Sequence, residues 1–229
     1  MDKKLVKWRW DRDTSRFLLE GLVEKVRKAS DQSDGNFVLD VGGNSGGLSR
    51  RATTKRSVCI DIEPNRGFDD VLYIKGDVRN MPFEDETFGL ILAKAVLHHV
   101  PDELDDALKE IRRVAREGAY MVIEEPLSTN PISNVAGKFF TTDIHDEEEH
   151  PLNPEELIKV VERYFTHVEI EYFFLTTYLM PHVISRLPIF MRGAFRNLTR
   201  LMHGFDSHII SKYPRLARRC SYITIVARK

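Results

Sequence analysis

The sequence predicts an α/β domain with a mostly parallel sheet and helices on both faces. Three observations predict it. Short β-rich runs alternate with amphipathic helical stretches, a glycine-rich turn joins the first such run to a helix, and aspartates stand at or just after the ends of the first three runs. Right-handed crossovers bring each intervening helix back over a parallel sheet, which is why alternation favours that architecture. The 229 residues suit one domain, since single domains of this class run to roughly 200–250 residues.

Residues 13–29 place Phe17, Leu18, Leu22, Val23 and Val26 at helical spacing with charges between them, so an amphipathic first helix is expected. Residues 1–35 read as an N-terminal helical cap. A buried strand over 36–41 runs into the turn 42–47 and a helix over 48–53, and strands follow at 58–62, 71–74, 88–93 and 120–123. A helix over 102–115 separates the last two. Residues 154–164 form a further helix, with Leu157, Ile158 and Val161 on one face, and branched and aromatic residues mark strands at 166–174 and 221–227. Loops in compact domains have a median of roughly four to six residues, so the connection 175–220 needs a purpose. The organisation expected is a cofactor-binding core over 36–174, a helical substrate lid over 175–220 and a final strand within 221–229.

The 34 basic and 35 acidic side chains leave a formal charge of −1, so no global charge excess points to nucleic acid. Cys59 and Cys220 sit in no CxxC or Cys/His cluster, and the basic first ten residues lack the apolar core of a secretory signal, so a cytoplasmic location is expected. The apolar stretch 172–191 is interrupted by Pro181, His182, Arg186 and Pro188, a poor membrane span.

In Val38-Leu39-Asp40-Val41-Gly42-Gly43-Asn44-Ser45-Gly46-Gly47 the glycines allow positive φ and remove side chains, so a ligand can approach backbone N–H groups at the start of a helix. Asp61 ends the second strand, where a carboxylate suits bidentate bonding to ribose hydroxyls, and Asp77, in Lys75-Gly76-Asp77-Val78, could accept from an adenine amino group.

These residues, followed in order by Met81-Pro82-Phe83, Phe88-Gly89-Leu90-Ile91, Val96-Leu97-His98-His99-Val100 and Glu110-Ile111-Arg112-Arg113-Val114 leading to Gly118, resemble the class I S-adenosylmethionine-dependent methyltransferases. Within that family the resemblance is to the type 11 methyltransferase domain and covers residues 37–124. It implies a Rossmann-like, seven-stranded, mostly parallel sheet with an antiparallel final strand and S-adenosylmethionine as cofactor. It also implies that Gly42 and Gly46 border the methionine part, that Asp61 holds ribose, and that Asp77 and Val78 address adenine. The expected cofactor set is Asp40, Gly42, Gly43, Asn44, Gly46, Asp61, Ile62, Asp77, Val78 and Ala93. Two departures stand out: Asn44 replaces the middle glycine of GxGxG, and Gly89 replaces a common aspartate. Asn tolerates the left-handed region, so the turn can survive.

His98 and His99 follow the fourth strand at the ligand-binding edge, and either imidazole could take a proton from an attacking hydroxyl or amine. Positioning alone can also supply much of the rate of methyl transfer, so a catalytic base is not required. Glu125, His145, His150 and Arg186 are candidate substrate contacts. The acidic segment 142–150 matches neither an EF-hand loop nor HExxH, so no metal is expected.

Residues 181–219 carry Arg186, Arg192, Arg196, Arg200, Lys212, Arg215, Arg218 and Arg219 against the single acid Asp206, among many apolar residues. Such a segment can cover a pocket, select an apolar or lipid-like acceptor with an anionic group, or rest on an anionic membrane surface. The expected function is methyl transfer to a small molecule. The alternatives are a non-catalytic binding protein on the same fold, a dinucleotide-binding enzyme, whose GxGxxG the turn breaks, and a nucleic-acid methyltransferase, for which an Asn-Pro-Pro-Tyr-like motif is lacking.

Overall fold

The computed structural model describes residues 12–134 and 151–229. Seven strands form one sheet: β1 (Phe37–Val41), β2 (Arg56–Asp61), β3 (Val71–Lys75), β4 (Phe88–Lys94), β5 (Ala115–Pro126), β6 (Thr166–Phe173) and β7 (Tyr222–Arg228). Their order is β3-β2-β1-β4-β5-β7-β6. β7 pairs antiparallel with both β5 and β6, and the pairings from β3 to β5 are parallel, so β7 alone opposes the others. Strand order reverses between β1 and β4, which opens a crevice at their carboxyl ends.

β4 explains why its sequence is a continuous apolar run: it is buried on both faces. Leu90 and Leu92 join Val38, Val122 and the α1 (Arg12–Gln32) residues Leu22, Val23 and Val26 in one layer. Ile91 and Ala93 face the larger opposite layer, with Leu104, Leu108 and Ile111 of α3 (Leu104–Val114) and Leu157 and Val161 of α4 (Pro154–Tyr164). α2 (Gly47–Ala52) follows the glycine turn. α4 begins on Asn153, whose side chain accepts from the N–H groups of Glu155 and Glu156, with Pro154 in the first turn, where its missing N–H costs nothing.

β5 is longer than the apolar run 120–123 predicts. Its ladder with β4 continues to Glu124 and that with β7 to Pro126, so of two polar residues that hydrophobic patterning leaves out, Glu124 is held as strand by partners on both sides and Glu125 by β7. The connection 175–220 is helical: a short turn at Thr177–Leu179, then α5 (Met180–Arg186), α6 (Ile189–Lys212) and α7 (Pro214–Ala217). Buried Asp206 fastens α6 to that turn, accepting from the backbone N–H and hydroxyl of both Thr176 and Thr177 at 2.8–3.3 Å. Asn130, also buried, donates to the carbonyls of Phe174, Leu175 and Arg219, which ties both ends of the connection to the chain after β5.

Several motif residues prove to be scaffold. Glu110 accepts from the Met81 N–H at 2.7 Å, and Arg113 donates to the carbonyls of Met81 and Phe83, so this pair holds the loop before β4 in place. Gly89 has a steric reason: a Cβ there would stand 1.6 Å from the Asp34 carbonyl oxygen. Gly89→Ala should therefore cost about 3 kcal/mol or more, read as a lower urea midpoint at unchanged slope; a variant as stable as the wild type would refute this packing account.

Candidate active site

The glycine turn is shaped by what lies beneath it. Gly42 has φ 63° and donates to the Ile60 carbonyl at 2.8 Å, and a Cβ on it would come within 2.4 Å of the Val96 side chain. Gly43 sits directly over the Asp40 carboxyl, 2.5 Å from the position its own Cβ would take. Asn44 occupies the left-handed region at φ 49°, the conformation that a glycine would supply there, and its N–H donates to Asp61 Oδ2 at 2.9 Å. The other Asp61 oxygen accepts from the Glu63 N–H at 2.9 Å. Each oxygen retains lone-pair capacity, so the carboxylate is oriented yet still able to receive hydroxyls. Ile62, next to it, is 67% exposed and offers an apolar surface beside the acid.

Tyr73 braces the turn from the far side: its hydroxyl donates to the Ser45 carbonyl at 2.7 Å and accepts from the N–H groups of Gly67 and Phe68. Strand periodicity alone gives this tyrosine no distinguishing mark. Asp40 lies under the turn, buried, where it accepts from the Ser49 N–H at 3.2 Å. Burial pushes its carboxyl up to about 6, partly offset by the bond from Ser49. Val78 and Ala93 are buried in the core, and Asp77 is chelated by Arg79, whose Nε donates to Oδ1 at 2.9 Å and whose Nη2 donates to Oδ2 at 2.5 Å. That bond holds the Asp77 carboxyl below the usual range. An adenine amino group would thus share Asp77 with Arg79, a partner that residue spacing does not reveal.

At the carboxyl ends of β4 and β5 the structure brings Glu125 and His98 together. Glu125 is 0% exposed and faces no open cleft. Its Oε1 accepts from the N–H groups of Val96 and Leu97 at 2.9 and 2.8 Å, and its Oε2 lies 2.8 Å from His98 Nδ1. A carboxylate can only accept, so Nδ1 carries the hydrogen and Nε2 is left with its lone pair. His98 is 4% exposed, whereas His99 is exposed, with its ring centroid 4.2 Å from that of His98. Beside them Glu124 pairs with Lys94 at 3.3 Å, and burial raises its carboxyl pKa. Arg186 is exposed at the end of α5. His145 and His150 fall outside the described residues. Among those described, no group of three or more His, Cys, Asp or Glu stands together as a metal site, and no helix is long and apolar enough to cross a membrane.

Residues 39–123, which contain the turn, Asp61 and the β4 end, match the family described as Methyltransferase domain. That stretch is a methyltransferase domain. Over 132 residues the chain is 30% identical to the methyltransferase GfsG of Streptomyces halstedii, covering 51% of this chain and 47% of that one. It is 24% identical over 189 residues to a Mycobacterium ulcerans protein named a probable phthiotriol/phenolphthiotriol dimycocerosates methyltransferase, covering 76% and 68%. The chain spans 25% and 47% of the length of the first two curated relatives it matches. In fold, the chain resembles the geranyl diphosphate C-methyltransferase of Streptomyces coelicolor, at TM-score 0.61, 16% identity and coverage of 95% of this chain and 83% of that one.

The folded state binds the Asp40 proton more tightly than the unfolded chain does. The resulting stabilisation is complete below the ordinary value of 3.8 and is lost as pH rises through about 6. Asp40→Asn keeps an acceptor for Ser49 and removes that loss. Between about pH 4 and pH 7 its stability relative to the wild type should rise by as much as ~3 kcal/mol, measured by denaturant unfolding; a difference that stays flat with pH would contradict the burial of an ionisable carboxyl there.

Proposed function

We propose that the protein is an S-adenosylmethionine-dependent methyltransferase acting on a small, apolar or lipid-like acceptor that carries an anionic group. The observation that carries this reading is the Asp61 carboxylate at the carboxyl end of β2, one strand from the β1/β4 switch, fixed by the Asn44 and Glu63 N–H groups beside exposed Ile62. The donor set fits the cofactor. Asp61 would accept the ribose hydroxyls, Ile62 would offer apolar surface to the adenine, Asp77 and Val78 would address the base, and the backbone of the Gly42–Gly46 turn would border the methionine part. Asp40, Gly43 and Ala93 support this surface from beneath.

When bound, S-adenosylmethionine supplies a methyl group on a sulfonium centre, already activated for transfer to an oxygen, nitrogen or carbon nucleophile. His98 is the residue best prepared to help, because Glu125 holds Nδ1 and leaves Nε2 to accept a proton from the nucleophile. His99 lies against the same ring and bounds the acceptor side. Residues 175–220 close that side, and their arginines, Arg186 among them, suit an anionic group. The acceptor class is supported by the composition of this segment and by relatives whose names specify a dimycocerosate and geranyl diphosphate as substrates.

The non-catalytic reading rests on the two departures at positions 44 and 89 and on the insertion 175–220 as a partner surface; both departures have conformational or steric reasons that do not require lost chemistry. Calorimetric titration with S-adenosylmethionine and S-adenosylhomocysteine tests the proposal. The wild type should bind both, and Asp61→Ala should weaken binding at least roughly tenfold, the scale of lost bonds to a charged group. Folded wild-type protein that binds neither ligand would overturn the reading.

A further inference from the structure

Helix α6 presents an apolar stripe to the outside. Its two buried positions, Thr199 and Asp206, are polar, seven residues apart and on one face. Asp206 is satisfied by Thr176 and Thr177, and the Thr199 hydroxyl donates to the Phe195 carbonyl at 2.8 Å. Phe195, Met202 and Ile209 lie beside Thr199 and Asp206 and are half-buried, but a second set of large apolar residues faces the other way. Phe190, Leu198, Leu201 and Phe205 follow one another at spacings of eight, three and four, which puts them on a common stripe. They are 85%, 45%, 73% and 64% exposed, and neighbouring Ile189 is 83% exposed. Packing against this protein's own core does not account for the stripe, because the core side of the helix is the Thr199–Asp206 side.

Charge around the stripe has one sign. Residues 181–219 contain eight lysines and arginines and one acid, and that acid, Asp206, is buried on the opposite face. The exposed surface of the segment is therefore basic as well as apolar. A symmetric contact with a second copy would set this basic surface against itself, at a cost in like-charge repulsion. An anionic bilayer offers both complements: phosphate headgroups for the arginines and an acyl boundary for the aromatic and leucine side chains. At 24 residues the helix is about 36 Å long, enough to lie along a membrane surface, and it is not apolar enough to cross one.

We propose that the outward face of α6, centred on Phe190, Leu201 and Phe205 and flanked by Arg200, docks the protein on an anionic phospholipid surface. This surface is separate from the glycine turn and Asp61, so it stands whether or not methyl transfer is the activity.

The test is co-sedimentation of the full-length protein with unilamellar vesicles of phosphatidylcholine alone and of phosphatidylcholine mixed with phosphatidylglycerol. The wild type should pellet with the mixed vesicles, far less with the neutral ones, and should be released by salt. Phe190→Ser/Leu201→Ser/Phe205→Ser changes only exposed positions and should lower partitioning at least roughly tenfold, with its thermal unfolding and its titration by S-adenosylhomocysteine unchanged. Arg200→Glu should weaken binding to the mixed vesicles selectively. Wild-type protein that stays in the supernatant with anionic vesicles at low salt would overturn the proposal. So would a triple variant that pellets like the wild type, or a wild-type dimer in sedimentation velocity that the triple variant converts to monomer. Asp61→Ala should bind vesicles normally, which separates failure of the docking surface from failure of the cofactor site.

Discussion

A buried carboxylate at the end of β5 organises the site. Glu125 is removed from water, a placement that costs several kcal/mol unless the charge is met by donors, and it is met by three: the N–H groups of Val96 and Leu97 and the ring of His98. Those bonds fix the path of the chain as it leaves β4, where Ala95 adopts φ 52°. The consequence reaches both halves of the crevice. On one side His98 receives a defined tautomer. On the other, the Val96 side chain is set against Gly42, and the glycine turn beyond carries the Asn44 N–H to Asp61. One carboxylate thus links the region proposed for the acceptor to the region proposed for the cofactor.

The turn itself shows how a family pattern can be met by a different residue. A backbone position near φ 50° costs an ordinary side chain roughly 1–2 kcal/mol, and glycine and asparagine are the residues that bear it most easily. Asn44 adopts the conformation, keeps the backbone donor that orients Asp61, and leaves its side chain exposed. Gly89 is the converse case: the residue is dictated by the Asp34 carbonyl rather than by a ligand.

The strands and helices were legible in the sequence because they rest on patterning, which is local, and their alternation gave the mostly parallel sheet; the order β3-β2-β1-β4-β5-β7-β6 came only with the fold. The ends of α3 and α4 were likewise readable to within a few residues. What could not be read were contacts made across strands. Glu125 looks like a surface acid after a strand until its partners on the β4 loop are known, and the chelation of Asp77 by Arg79 is a conformational choice that spacing does not fix. Asn130, which bonds to carbonyls 44 to 89 residues away, carries no local sign at all. In α6 the composition was visible as amphipathic, but only the fold shows that an apolar stripe is left facing out.

The claim that Glu125 sets the state of His98 is open to direct measurement. Ring-nitrogen NMR of histidine-labelled protein, taken at about pH 8, where an ordinary imidazole is neutral, reports which nitrogen of His98 bears the hydrogen. The account predicts the Nδ1–H tautomer in the wild type and its loss in Glu125→Ala. An Nε2–H tautomer, or a signal unchanged by the substitution, would contradict it.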